Sequence, residues 1–318
     1  MKHDVSFVTC VYDDLVNTQF NGRLNRGTHY VFSLAHMHQM GAPIYCYSDK
    51  INMYRAFPAF LKYGYENFRF INYNLEDSPY LAEIQRIKQK DVFYVEAASW
   101  RTRCIEIMWG KFDWIIHTAE KMGLDSGKYL YWVDAGLSHP GILPKKFNTF
   151  DESTAVTSSH KYDNSFNFDL IFNEDLPDFL VEYAGEDNLL HFMCTQRQHS
   201  DKSHLPRSGP KGTDPKNGTH VGTVVGGLFG GPVRLLHDWA LDAKDVCADL
   251  LQHDFLLKEE DVLTYMLNTG GVEDPRFKDN ITIYKFDTWY HEDWDGYVPK
   301  LKSFSAFFEE FAEYRKTK

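Results

Sequence analysis

Nowhere in this chain is there an unbroken apolar run of about 18 residues, the length a helix needs to cross a bilayer. The opening, MKHDVSFVTC, lacks the charged start and apolar stretch of about 7–15 residues that mark a secretory signal. A cytoplasmic protein is expected, in which the sequons at Asn217 and Asn280 are chance matches. Cysteine is sparse: Cys10, Cys46, Cys104, Cys194 and Cys247 are odd in number, and no two have the spacing of a zinc ribbon or redox pair. They read as reduced, mostly buried thiols. Positive charge is also short. Lysine and arginine total 34 against 45 aspartate and glutamate, a balance of −11 with no dense basic run. That field repels polyanions and disfavours nucleic acid as a partner, although an acidic protein can still hold an anionic small molecule through a divalent cation. No HExxH occurs, and His36 and His38, two apart, point to different sides of a helix, so a metal hydrolase is disfavoured.

Aromatic residues are abundant, at 24 Phe, 19 Tyr and 7 Trp, which would suit broad stacking surfaces. With 43% hydrophobic and 25% charged residues over 318 positions, the composition fits one α/β domain spanning 1–318 with a sizeable core. VSFVTCVYD (5–13) and APIYCYSD (42–49) read as strands, and Tyr30, Leu34, Met37 and His38 give a helix between them that stops at Gly41. This βαβ unit predicts a mostly parallel sheet flanked by helices. FRFINYNL supplies a third strand. Ile105, Met108, Trp109, Phe112, Ile115 and Ile116 place an amphipathic helix over 99–122, ending near Gly123. The nearly continuous apolar KYLYWVD that follows predicts a central strand covered on both faces, with Asp134 at its carboxyl end. The Gly-, Pro- and Ser-rich stretch 199–221 reads as a long mobile loop. VVGGLFGGP then gives a short strand leading into a helix, LKEEDVLTYMLNT another helix, and ITIYKFD a strand.

Ligands of open α/β sheets bind outside the carboxyl ends of the strands, which is where Asp134 falls. It either faces a ligand there or caps the turn into AGLSHPG. GGLFGGP (226–232) sets four glycines around Leu228 and Phe229, so backbone at Gly227 can approach a ligand closely while Phe229 offers an apolar face; a plain flexible turn is the competing reading. The segment lacks the Lys-Ser/Thr of a P-loop and the GxGxxG spacing of a dinucleotide site. Glu259, Glu260 and Asp261 open a helix, where the dipole favours negative charge, as a solvated turn or as a carboxylate that acts as a base.

The order of strand-end Asp, GLFGG and helix-opening EED resembles the GT-A class of nucleotide-sugar glycosyltransferases. YWVDAGLSHPGILP with VGGLFGG is similar, more narrowly, to the HtrL/YibB-like (WlaTC) family of bacterial glycosyltransferases tied to lipopolysaccharide assembly. The resemblance implies transfer of a sugar from a nucleotide diphosphate donor, a UDP-sugar first among them, to a hydroxyl of a saccharide acceptor. It implies a divalent metal, Mn2+ or Mg2+, held by Asp134, with His291 of DTWYHEDW either a second ligand or structural. The sequence departs from the DxD pattern of that class at Gly136, where the second carboxylate is missing. By the same resemblance Thr9, Val11, Tyr12, Ser48 and Asp49 meet base and ribose, with Tyr12 stacking on the base. Arg101, Arg103 and Lys111 are candidates for phosphate, or else surface charges of their helix, and Arg103 and Lys111 are spaced to share one face. If the reaction inverts configuration, Glu260 or Asp261 takes the acceptor proton. Two other readings stay open: a sugar-nucleotide-binding protein without catalysis on the same scaffold, and a sugar transferase acting on phage or viral DNA.

Overall fold

The computed structural model describes residues 4–12, 31, 33–89, 103–134, 172–185, 190–195, 223–252, 281–285 and 300–318, together with Asp254, Leu256, Glu259, Val262, Leu263 and Met266. The expected loop 199–221 lies outside them, as do Arg101, Gly136, Glu260, Asp261 and His291.

Eight strands form one sheet: β1 (Val5–Cys10), β2 (Ile44–Ser48), β3 (Phe68–Asn72), β4 (Tyr129–Val133), β5 (Leu190–Thr195), β6 (Thr223–Pro232), β7 (Ile281–Lys285) and β8 (Lys300–Ser303). Their order is β3-β2-β1-β4-β6-β5-β7-β8. Every neighbouring pair is parallel except the two made by β6, which runs against both β4 and β5. The mixed, mostly parallel α/β sheet expected from the βαβ pattern is therefore what forms. The α-helices of eight or more residues among those described are α1 (Lys50–Tyr63), α2 (Leu81–Lys88), α3 (Cys104–Met122), α4 (Asp175–Gly185), α5 (Val233–Gln252) and α6 (Phe304–Thr317). Among the described residues no helix is long and apolar enough to cross a membrane.

Side chains alternate across a strand, so one strand feeds two layers. In β4, Leu130 and Trp132 enter the core shared with α3 and α5, while Tyr131 and Val133 enter the core shared with α1, α4 and α6. Both faces are covered, which is why KYLYWVD is apolar almost throughout. The α3 pattern read from the sequence is the buried stripe that closes the first core, and the helix stops where Gly123 takes φ 88 and donates its N–H to Ala119 O at 3.1 Å.

Many of the aromatic side chains among the described residues pack inward, with Tyr54, Phe57 and Tyr65 exposed. Trp114 of α3 stacks with Tyr12 at 5.6 Å, Tyr47 at 5.5 Å and Trp132 at 6.1 Å between ring centroids, and meets the edge of Tyr73 at 5.7 Å. Burial raises the phenols of Tyr12, Tyr47, Tyr80 and Tyr131 well above their ordinary range and pushes Tyr73 up to about 12. Their folded pKa values exceed the unfolded value near 10, so this stability is intact below about pH 10 and is lost as pH rises through the folded values. Urea midpoints measured from pH 8 to 11 should hold to about pH 10 and then fall steeply. A midpoint that stayed flat to pH 11 would show that the phenols are not held in the protonated form.

Candidate functional site

The chain steps outward from β1 to β2 and β3, then crosses back to place β4 on the other side of β1. Ligands of open α/β sheets bind where strand order reverses in this way, and here that point falls at the carboxyl ends of β1 and β4. Cys10, Val11 and Tyr12 follow along one strand end, and Asp134 closes the other.

Asp134 continues the β4–β6 ladder, its N–H donating to Gly227 O at 2.7 Å. Its side chain is 37% exposed, and Oδ2 accepts from Lys111 Nζ at 3.1 Å. Lys111 is only 3% exposed. It rises from α3 over the ring of Trp132, 5.0 Å from the centroid, and donates also to Gly226 O at 3.3 Å and to Glu259 Oε1 in a short ion pair. An ammonium has three donors, and here each has an acceptor. Burial alone would depress the Lys111 pKa, but Glu259 and Asp134 outweigh it and hold the ammonium above its ordinary range. Burial and then the Asp134 charge push the Cys10 thiol up, which puts it within electrostatic reach of the same group.

Gly226 is where two chains of contact meet. A Cβ there would lie 2.5 Å from Glu259 Oε1 and 3.1 Å from Lys111 Nζ, so only glycine leaves room for the pair. Gly230 is paired with Tyr131, and a side chain on it would run into the β4 backbone. These glycines serve strand and side-chain approach within the protein. Phe229 is buried in the α3/α5 core, paired across the ladders with Trp132 and Phe192, so its ring faces that core rather than a ligand.

Of the residues expected near a nucleotide, Thr9 is fully buried and its Oγ1 has no hydrogen-bond partner among the described residues. Val11 donates its N–H to Tyr47 O at 3.0 Å and accepts from Ser48 Oγ at 2.7 Å, which ties the ends of β1 and β2 together. Tyr12 is buried, stacked on Trp114, and donates its hydroxyl to Tyr73 O at 2.9 Å, so its stacking partner is the core. Asp49 caps α1, accepting from the Asn52 N–H and from Asn52 Nδ2, each at 2.7 Å. Arg103 does not share the Lys111 environment; it pairs with Glu76 at the surface.

The structure thus brings together Lys111, Asp134 and the glycine strand, and adds Glu259, a residue the sequence reading set beside Glu260 and Asp261 without choosing it. A signal for it existed. Glu259, Val262, Leu263 and Met266 stand at i, i+3, i+4 and i+7, the spacing of one helix face, and all four are buried. Its second oxygen, Oε2, accepts no hydrogen bond among the described residues. No group of three or more His, Cys, Asp or Glu side chains able to hold a metal ion occurs among those residues. One partly exposed carboxylate still fits a divalent ion, because Mg2+ and similar ions on a diphosphate take few protein ligands and complete an oxygen shell with phosphate and water.

No family model matches the chain, and no curated protein matches it. Among solved structures it is similar to 4-diphosphocytidyl-2C-methyl-D-erythritol synthase from Anaerococcus prevotii, with TM-score 0.39 and 9% identity over 98% of this chain and 96% of that one. It is also similar to mouse xyloside xylosyltransferase 1 in its apo form, with TM-score 0.34 and 11% identity over 96% and 93% of the two chains.

Proposed function

We propose that the protein is a nucleotide-sugar-dependent glycosyltransferase, related to the HtrL/YibB-like family whose motifs it resembles, that moves a sugar from a nucleotide diphosphate to a hydroxyl acceptor. The observation that carries this reading is the partly exposed Asp134 at the reversal point of strand order, braced from behind by a buried lysine.

In the reaction the acceptor oxygen bonds to the anomeric carbon, the bond from that carbon to the diphosphate breaks, and the acceptor proton passes to a carboxylate. The protein has to stabilise the departing diphosphate. Asp134, with His291, would hold a divalent ion, which when bound supplies positive charge opposite the leaving group. Lys111 contributes indirectly: with its donors occupied it fixes the direction of Asp134 and offsets the charge of Glu259. For an inverting reaction we assign the base to Glu260 or Asp261, next to the buried Glu259. Base and ribose would lie against the backbone at Val11 and the cap at Asp49, while the buried Thr9 and Ser48 would act only by holding the ends of β1 and β2.

A thermal-shift screen of UDP, GDP, CDP and their common sugar conjugates, with and without manganese, tests the reading, followed by a turnover assay of whichever conjugate stabilises the protein. One donor is expected to raise the melting temperature, more strongly with manganese, and to be consumed with a saccharide acceptor present. Stabilisation without transfer or hydrolysis would identify a binding protein that has lost catalysis. Absence of any response to sugar nucleotides, together with salt-sensitive DNA binding, would remove the saccharide-acceptor reading.

A further inference from the structure

Six large apolar side chains among the described residues are exposed, and five of them, Ile51, Tyr54, Phe57, Leu61 and Tyr65, come from α1 and the turn after it. Scattered singly they would mean little, but together they form a surface. Ile51, Tyr54, Pro58 and Leu61 follow at steps of three, four and three, a line along one side of a helix with about 3.6 residues per turn. Asn52, Ala56 and Phe60 form the opposite, buried line that seats α1 on the core. Tyr54 is 82% exposed, Ile51 64% and Leu61 59%. Phe57 and Tyr65 extend the strip, their ring centroids 5.9 Å apart. Pro58 belongs to this outer line, inside the helix.

The charge on the helix is one-sided. α1 carries Lys50, Arg55 and Lys62 and has no acidic residue within it, in a chain whose net charge is −11. Asp49, which caps the helix, and Glu66, 3.3 Å from His38, flank it, so the stretch 49–66 holds three cations against two acids.

We infer that this outer face of α1 docks the protein on an anionic lipid bilayer. Apolar and tyrosine side chains enter the headgroup boundary, where a ring with a polar tip is at home, and Lys50 and Lys62, at the two ends of the helix, reach headgroup phosphates. A second copy of the chain is a poorer occupant, because a two-fold contact sets the same patch against itself and brings the basic side chains together. α1 starts at the carboxyl end of β2, the end of the sheet where Asp134 lies. The inference does not depend on the sugar-transfer reading.

Co-sedimentation of the full chain with vesicles of phosphatidylcholine alone, and of phosphatidylcholine with phosphatidylglycerol, tests it. Binding to the anionic vesicles should be about tenfold tighter or more, and should weaken as salt rises toward 1 M and the screening length falls to about 3 Å. Tyr54→Ser with Leu61→Ser should lower binding by at least about tenfold at an unchanged melting temperature, since both side chains already face solvent. Lys50→Glu with Lys62→Glu should remove the preference for anionic lipid. Three results would overturn the inference: no sedimentation with either vesicle, equal binding to both, or undiminished binding by the serine variant. Concentration-dependent self-association without vesicles that the serine substitutions abolish would also overturn it, in favour of a contact between copies.

Discussion

Asp134→Asn is expected to reduce sugar transfer and donor hydrolysis by about 10³-fold or more while the protein stays folded. The substitution keeps the size of the side chain and its backbone N–H bond to Gly227 O, so the β4–β6 ladder is untouched. What it removes is a negative charge at the carboxyl end of β4, the group assigned to a cation on the leaving diphosphate. Lys111 keeps two acceptors, Glu259 and Gly226 O, so its burial remains compensated. The stability change should stay within about 1 kcal/mol, as for other partly exposed ion pairs. Turnover of the identified donor and a urea titration, made on the same preparation, separate the two effects. Activity within about tenfold of the unaltered protein would take Asp134 out of the chemistry.

Lys111→Met should be the most destabilising single change in the site, by about 3–5 kcal/mol, because it strands the Glu259 carboxylate in the interior. Exposure decides the size of this effect. A surface pair would contribute well under 1 kcal/mol, but Lys111 and Glu259 are nearly sealed from water, and the low local dielectric magnifies the cost of leaving either alone. The partly exposed Asp134 adds less, since water screens it. Glu259→Gln on its own should also be costly, leaving the ammonium with an amide where it had a charge. The double variant Lys111→Met/Glu259→Gln should recover much of the loss of the first single variant, since no buried charge is then left unpaired, and the cycle gives the coupling directly. Equal, additive losses would mean that the two side chains act independently. Recovery of stability in the double variant without recovery of turnover would mark Lys111 as the residue that orients Asp134.

Strands β1 to β4 and helix α3 could be read along the chain, whereas α1 and α2 were not. The α3 stripe, its end at Gly123 and the two-sided apolar character of KYLYWVD are local patterns, set by a repeat of 3.6 residues or by continuous burial, and each survives as drawn. The place of Asp134 at a strand end follows from the same patterns. The fate of GLFGG did not. Its glycines suggested open backbone beside a ligand, but β6 lies antiparallel between β4 and β5, and those positions admit neighbouring strands and the Lys111–Glu259 pair. Tyr12 and Phe229 were misplaced for a related reason: an aromatic ring has the same local signature whether it lines a cleft or fills a core, and here both fill the core.

The sequence by itself determined strands β1 to β4, β6 and β7 and the helix α3, that the sheet is mostly parallel, and that one acid ends its central strand. Those depend on side-chain periodicity and turn chemistry within a few residues. Only the tertiary structure decided that Lys111 turns inward, that Glu259 from about 150 residues later meets it, and that α1 leaves an apolar, basic face outside. Charge pairing and burial join residues that the chain holds far apart, and spacing along a sequence carries no record of which distant strand will arrive beside them.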